Sequence, residues 1–245
     1  MASSVKLRAM RLTMAQVRVG PSVDENRTRI LSILRDAQVD EWIVFPEGAV
    51  SGYFPQHEDF LKGDPRQVTD AVDEIRADAR RRRCGIVLGS ALQIDGAWRN
   101  AVIVQAPSGR DWRYDKIELS ELDAHHFVAG RDVPVYDADG VTFGIQVCRE
   151  LLFPIAWHGL AVRGARLVIH VNNAIKPIDA VWEHVIIARA VENGVFVCSV
   201  NNAASPQALA SYVVSPSGDV LAKTDTQREQ VLSCEIDLSA TRPAY

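Results

Sequence analysis

The chain has 245 residues, 47% of them hydrophobic, and a formal net charge of −4. That balance offers no footprint for nucleic acid or an anionic membrane. No Pro/Gly/Ser-rich linker, repeat or low-complexity tract divides the chain, so one domain over residues 1–245 is expected. The start, MASSVKLRAM, lacks the apolar core of a signal peptide, and no apolar stretch reaches bilayer length, which makes a cytoplasmic location the default expectation.

In chain order, residues 11–19 read as a strand. Ser22 and Glu25 form a capping-box pattern ahead of a helix with Ile30, Ile33, Leu34 and Ala37 on one face. A buried strand follows at 42–47 (WIVFPE), then a second amphipathic helix at about 67–83. The basic run Arg80–Arg83 falls at the end of that helix, where positive side chains suit the negative end of its dipole; an anion-binding patch is the alternative. Strands at 85–93 and 101–107 flank Asp95-Gly96, a hairpin turn signal. Residues 141–148 form a strand that ends at Cys148. A helix from about Pro154 to Arg163 stops at Gly164. A strand at 166–173 and a helix at 179–193 follow, the helix stopped by Gly194. Runs at 195–202, 210–218 and 231–237 complete the β content. Most strands are apolar at both alternating positions, which predicts cover on both faces and an α/β protein with more than one sheet layer.

Chemistry-bearing residues sit at strand ends. Glu47 closes an apolar strand after Pro46, at the rim where α/β proteins place ligands. Desolvation there would lift its pKa toward that of a useful general base. Cys148 closes another strand, where a turn can expose its sulfur beside backbone N–H groups. Lys116 follows Trp112-Arg113-Tyr114-Asp115. Each has a plainer explanation when read alone: a capping acid, a buried core thiol, a solvated surface charge. Cys84, Cys198 and Cys234 lie in or beside β-rich apolar runs and read as small core residues. No Cys or His spacing suggests a metal.

Taken together, three blocks carry a resemblance: FPEGAVSGYFP (45–55), YDKIEL (114–119) and GIQVCRELLFP (144–154). With RNAVIVQAPSG (99–109), RAVENGVFVCSVNN (189–202) and SYVVSPSGDVLA (211–222) in the same order, the chain resembles the nitrilase superfamily of carbon–nitrogen hydrolases, in its amidase/carbamoylase-like branch, over nearly its whole length. The resemblance implies a four-layer α-β-β-α sandwich in which Glu47, Lys116 and Cys148 meet. It implies a cysteine nucleophile that forms a thioester acyl-enzyme, Glu47 as proton carrier, and Lys116 with the Arg149 N–H as oxyanion donors. It implies no metal and no organic cofactor. Its substrate would be a small linear amide or N-carbamoyl compound, cleaved to release ammonia or an amine.

The family's second glutamate, placed before a Phe-x-x-Gly segment that here is Phe127–Gly130, aligns with Asp123, one methylene shorter; Glu121 is the second candidate. The segment SELDAHH also reads as an exposed acidic turn. Glu150 keeps an acidic position of the family and suggests a structural role, and Arg149 suggests an ion pair or, less directly, a substrate carboxylate. Tyr53, His126, Phe127, Asn172 and Asn173 are further candidates for the pocket or its support, and Trp182 for a pocket wall or helix packing. Two alternatives share the machinery: nitrile cleavage, for which the chain is short, and acyl transfer to an amine. A third is an interaction protein that keeps the fold with little activity. The resemblance also implies a homodimer or higher assembly through the helix after Cys148 and the RAVEN helix, with Trp157, Val181 and Val185 as interface candidates.

Overall fold

The structure, a computed structural model, describes residues 9–52, 64–175, 181–203, 207 and 209–242. Its strands form two six-stranded sheets among the described residues. The first runs β12 (Gln230–Asp237), β1 (Ala9–Gln16), β2 (Trp42–Val44), β3 (Gly85–Ile94), β4 (Ala97–Gln105) and β5 (Asp111–Asp115). The second runs β11 (Val220–Lys223), β10 (Tyr212–Val214), β9 (Phe196–Val200), β8 (Leu167–Val171), β7 (Val141–Val147) and β6 (Tyr136–Ala138). Each sheet has a parallel trio at its centre, β1–β2–β3 in one and β7–β8–β9 in the other, with antiparallel strands outside.

The period-two geometry of strands sorts the apolar runs between two cores. Trp42 and Val44 face inward and pack with Phe143, Ile145, Val147, Leu167 and Ile169 of the other sheet. Ile43 and Phe45 face outward and are covered by Ile30 and Leu34 of α1 (Val23–Leu34) and Ile75 and Ala79 of α2 (Pro65–Arg82). Val168 and Val197 face outward on the second sheet, beneath α4 (Pro154–Val162) and α5 (Val181–Asn193). The result is the expected four-layer α-β-β-α sandwich. Among the described residues, no helix is long and apolar enough to cross a membrane.

Local signals act as their chemistry requires. Ser22 caps α1, accepting the Glu25 N–H at 3.3 Å. Asp95 and Gly96 both have positive φ (50° and 78°), as a two-residue hairpin turn of the right twist demands. The basic run closes α2 as expected: Arg81 and Arg82 bond Asp78, Arg80 reaches the Gln105 side chain at 3.4 Å, and Arg83 takes the left-handed cap conformation. Strand ends differ from expectation. The runs through Asn173 and Asn202 leave their ladders at Val171 and Val200, because the asparagine side chains satisfy neighbouring chain instead of extending the sheet. The strands β6 and β11 and the short helix α3 (Glu121–Ala124) have no counterpart among the expected elements, each being too brief to show a period. Cys84 and Cys198 are buried as expected, whereas Cys234 on edge strand β12 is half-exposed.

Gly89 of β3 lies directly under the chain leaving β2. A Cβ there would stand 2.5 Å from the Pro46 carbonyl oxygen and 2.6 Å from Glu47 Cα, both backbone atoms. Gly89→Ala is therefore expected to lower the unfolding free energy by about 1–3 kcal/mol, the usual cost of overpacking. It should displace Glu47 at the same time, so urea denaturation and amide turnover should both register the change.

Candidate active site

Three chain segments arrive at one end of the sandwich. The first leaves β2, where the Phe45 N–H makes a last bond to the Val87 carbonyl (2.8 Å) and Pro46 has no N–H to continue. Glu47 then crosses toward the second sheet and donates its N–H to the Asn172 carbonyl just beyond β8 (3.3 Å). Its side chain is fully buried. Oε1 accepts from Asn100 Nδ2 of β4 (2.8 Å) and from Lys116 Nζ (3.0 Å), while Oε2 is buried with no hydrogen-bond partner among the described residues. Burial raises the Glu47 pKa, Lys116 pulls it down, Asp123 pushes it up, and the net direction is upward.

Lys116 follows β5. Its backbone is clamped on both sides: its N–H donates to the Asn100 carbonyl (2.8 Å) and its carbonyl accepts from Gly130 (2.9 Å). Its ammonium is buried between two carboxylates, 3.0 Å from Glu47 Oε1 and 2.7 Å from Asp123 Oδ2. Burial works against the charge, but Glu47, Cys148 and Asp123 outweigh it and hold the lysine well above its ordinary pKa. Asp123 is itself fixed by a reciprocal cap on α3: Ser120 N–H donates to Oδ2 (3.1 Å) and Asp123 N–H donates to Ser120 Oγ (3.0 Å). The short aspartate arm reaches Lys116 because the cap brings its backbone close. Glu121, two residues earlier, is exposed. The acidic turn is thus half a surface feature and half a buried one.

Cys148 leaves β7 with φ of 50° and opens a 3₁₀ turn, Cys148–Leu152. A non-glycine residue in this region is strained, and such strain collects where a side chain must be aimed. The strand expected to include Cys148 stops one residue short, at Val147. The residue retains some exposure, yet the protein packed around the thiol dominates its ionisation. Burial, followed by the Glu47 charge, pushes it up to about 12, against the opposing pull of Lys116 and the Asn173 N–H. At neutral pH the resting sulfur is a thiol. The structure therefore brings Glu47, Lys116, Asp123 and Cys148 together.

The turn is tied down by two buried residues. Glu150 accepts from the N–H groups of Val147 (2.7 Å), Ile117 (2.7 Å) and Glu118 (3.1 Å) and from the Tyr114 hydroxyl (2.9 Å). It thereby joins the cysteine turn to the lysine segment across the two sheets. His170 of β8 places Nε2 2.9 Å from the Cys148 carbonyl. Neither His170 nor Asn100 was singled out from the sequence. Their signal was a polar residue inside an apolar strand, VIHV and RNAVIV, which by itself does not say where the side chain goes.

The remaining candidates are dispersed. Asn173 gives its backbone N–H to Cys148, and its Oδ1 accepts from Asn202 Nδ2 (3.1 Å) and Gln207 Nε2 (2.7 Å). Asn172 turns toward His170 and Ser199. The His126 and Phe127 N–H groups donate to the Asp123 carbonyl (2.9 and 2.8 Å); Phe127 is buried and His126 half-buried. Arg149 departs from the expected ion pair. It donates to the Leu119 carbonyl (2.8 Å) and lies over the Phe153 ring, pairing with no carboxylate among the described residues, since the nearby acid Glu150 is already occupied by backbone donors. Trp182 is buried against the α4–α5 core and packs its helix. Tyr53 lies outside the described residues.

The sequence profile described as "Carbon-nitrogen hydrolase" matches residues 11–245, and the chain belongs to that family of enzymes. An (R)-stereoselective amidase from Pseudomonas sp is 29% identical over 227 residues, covering 89% of this chain and 81% of that protein. A probable nitrilase of Schizosaccharomyces pombe is 28% identical over 134 residues, 53% of this chain; the match spans about half (49%) of that protein's length. The fold matches an amidase from Nesterenkonia sp. AN1, solved as a mutant in complex with butyramide, with a TM-score of 0.82 at 23% identity over 95% of this chain and 94% of that one. Another structure of that amidase shows Michael addition of acrylamide at its active-site cysteine.

Proposed function

We propose that this protein hydrolyses the carbon–nitrogen bond of a small linear amide through a thioester on Cys148. The observation that carries the reading is the Lys116 ammonium, buried between Glu47 and Asp123 at 3.0 and 2.7 Å and beside a cysteine in left-handed conformation. A charge placed so deep is costly unless opposite charges and hydrogen bonds compensate it, as Glu47 and Asp123 do here. Lys116 keeps its proton and so acts as a fixed cation. Glu47 has one oxygen committed to Asn100 and Lys116 and one uncommitted, Oε2, which is the oxygen suited to take a proton.

The reaction follows from these assignments. Because the resting sulfur is a thiol, deprotonation accompanies attack. Glu47 takes the proton from Sγ as the Sγ–C bond forms at the amide carbonyl. Lys116 and the Arg149 N–H stabilise the oxyanion. Glu47 returns the proton to the nitrogen, the C–N bond breaks, and ammonia or an amine leaves. Water, deprotonated by Glu47, then attacks the thioester, and the acid product departs as the thiol recovers its proton. Asp123 acts through Lys116, balancing its charge and fixing its direction. The butyramide complex and the cysteine adduct of the Nesterenkonia amidase support an amide substrate and a cysteine nucleophile for this chain as well. An N-carbamoyl substrate or transfer of the acyl group to an amine would use the same residues.

The outer helices support self-association. Ile155 is 83% exposed, and Leu152, Val162 and Val181 are exposed too, on and beside α4 and α5. We assign this apolar face to a contact with a second copy of the chain. Trp157, expected at such an interface, is instead fully buried against His170 because its indole N–H bonds the Glu150 carbonyl at 3.0 Å; Val185 is half-buried in the α4–α5 core, and Val181 alone of the three is exposed.

Three outcomes are expected. With a panel of small amides, wild-type protein should release ammonia and accumulate an acyl adduct on Cys148 visible by mass spectrometry. Cys148→Ala should do neither, and a Cys148→Ala enzyme with full activity would defeat the mechanism. The acid limb of kcat/KM against pH should lie above the ordinary carboxylate range, since a raised Glu47 pKa leaves the base protonated to higher pH; Glu47→Gln should remove turnover by two orders of magnitude or more, about the range for loss of a general base. In sedimentation, the protein should run as a dimer or larger, and Ile155→Glu should shift it toward monomer.

A further inference from the structure

We propose that His170 is a positioning residue that sets the oxyanion hole by gripping the opposite end of the peptide that carries the Arg149 N–H. The inference rests on the reading of Cys148 as nucleophile and goes beyond it. The Cys148 carbonyl and the Arg149 N–H belong to one peptide unit. In a trans peptide the two point in opposite directions. Whatever holds the carbonyl therefore aims the N–H. Arg149 is the second residue of a helical turn, where an N–H has no partner inside the turn and is open to an external acceptor.

The grip on that carbonyl is built with care. His170 is fully buried, and its Nε2 lies 2.9 Å from the Cys148 oxygen. A carbonyl only accepts, so Nε2 carries the hydrogen. Burial lowers the imidazole pKa to about 4, so the ring is neutral at neutral pH and Nδ1 is a bare acceptor. Two donors meet it: Asn172 Nδ2 at 3.1 Å and the Ser199 hydroxyl at 3.1 Å, which are themselves joined at 2.7 Å. Trp157 packs edge-on against the ring at 5.7 Å, and the Trp157 indole N–H bonds the Glu150 carbonyl within the same turn. Tautomer and orientation are thus both fixed, and His170 is the side chain that fastens the strained Cys148 backbone to the adjacent parallel strand. A neutral, immobile donor holds the peptide without adding charge beside the nucleophile.

The test compares two reactions at the same sulfur. Acylation by p-nitrophenyl butyrate forms an Sγ–C bond at a carbonyl, builds an oxyanion, and expels p-nitrophenolate. Alkylation by iodoacetamide displaces iodide at a saturated carbon and builds no oxyanion. In His170→Leu, acylation should slow by about tenfold or more, a part of the hundredfold or greater cost of deleting an oxyanion donor, while alkylation stays unchanged within error. His170→Gln carries both a donor near Nε2 and an acceptor for Asn172, and should restore most of the acylation rate. If His170→Leu does not fold, His170→Asn serves, being polar but too short to reach the carbonyl. Unchanged acylation, an equal fall in both reactions, or a His170→Gln protein that behaves like His170→Leu would each overturn the assignment to His170. Absence of any Cys148 adduct in the wild type would instead overturn the nucleophile itself, and this inference with it.

Discussion

The site depends on one buried cation. Lys116 Nζ lies out of water with two carboxylates against it, and the group of three carries a net negative charge. At low effective dielectric these charges act strongly on one another and on whatever stands beside them. Removing the lysine would leave two buried carboxylates without the cation between them. Removing either carboxylate would leave a neutral ion pair with one of the lysine's hydrogen-bond acceptors gone. Burial raises Glu47 against the pull of Lys116, and burial together with the Glu47 charge raises the Cys148 thiol.

A constellation of this kind needs backbone that does not move. Glu47, Lys116 and Cys148 each sit just past the end of a strand, and the main chain of each is held by bonds that reach to other strands or to the opposite sheet. Glu47 is tied to the second sheet through Asn172, Lys116 to β4 through Asn100, and Cys148 to β8 through His170. Glu150 closes the ring by joining the cysteine turn to the lysine segment through three N–H groups and a tyrosine hydroxyl. The inner core between the sheets keeps these attachments in register, with Trp42, Phe143 and Tyr136 stacked edge and face at centroid distances of 5.2 to 5.4 Å. Packing of aromatic rings at that density resists the sliding of one sheet over the other.

Much of this was readable in the linear chain. The doubly apolar strands announced two covered faces, and Ser22, the Asp95-Gly96 pair and the basic end of α2 marked their boundaries, because each is a local effect with a local residue signature. The order of the glutamate, lysine and cysteine blocks pointed to the family. The choice between Asp123 and Glu121 was not legible. It turns on a four-residue helix whose cap draws one carboxylate inward and leaves the other in solvent. The partner of Arg149 was misread for a related reason: nearness in sequence suggested an acid, whereas Glu150 is saturated by backbone donors and the guanidinium goes to a carbonyl thirty residues away.

The sequence by itself determined the covered sheet layers, the family and the order of the glutamate, lysine and cysteine blocks, since these depend on periodicity, turn chemistry and ordered blocks. Only the tertiary structure decided which atoms meet. That Asn100 steadies Glu47, that Lys116 bonds Glu47, and that a histidine inside an apolar strand holds the Cys148 peptide are all contacts between segments far apart in the chain. Such contacts arise from how two sheets stack and where their strands end, and no local pattern of residues encodes that geometry.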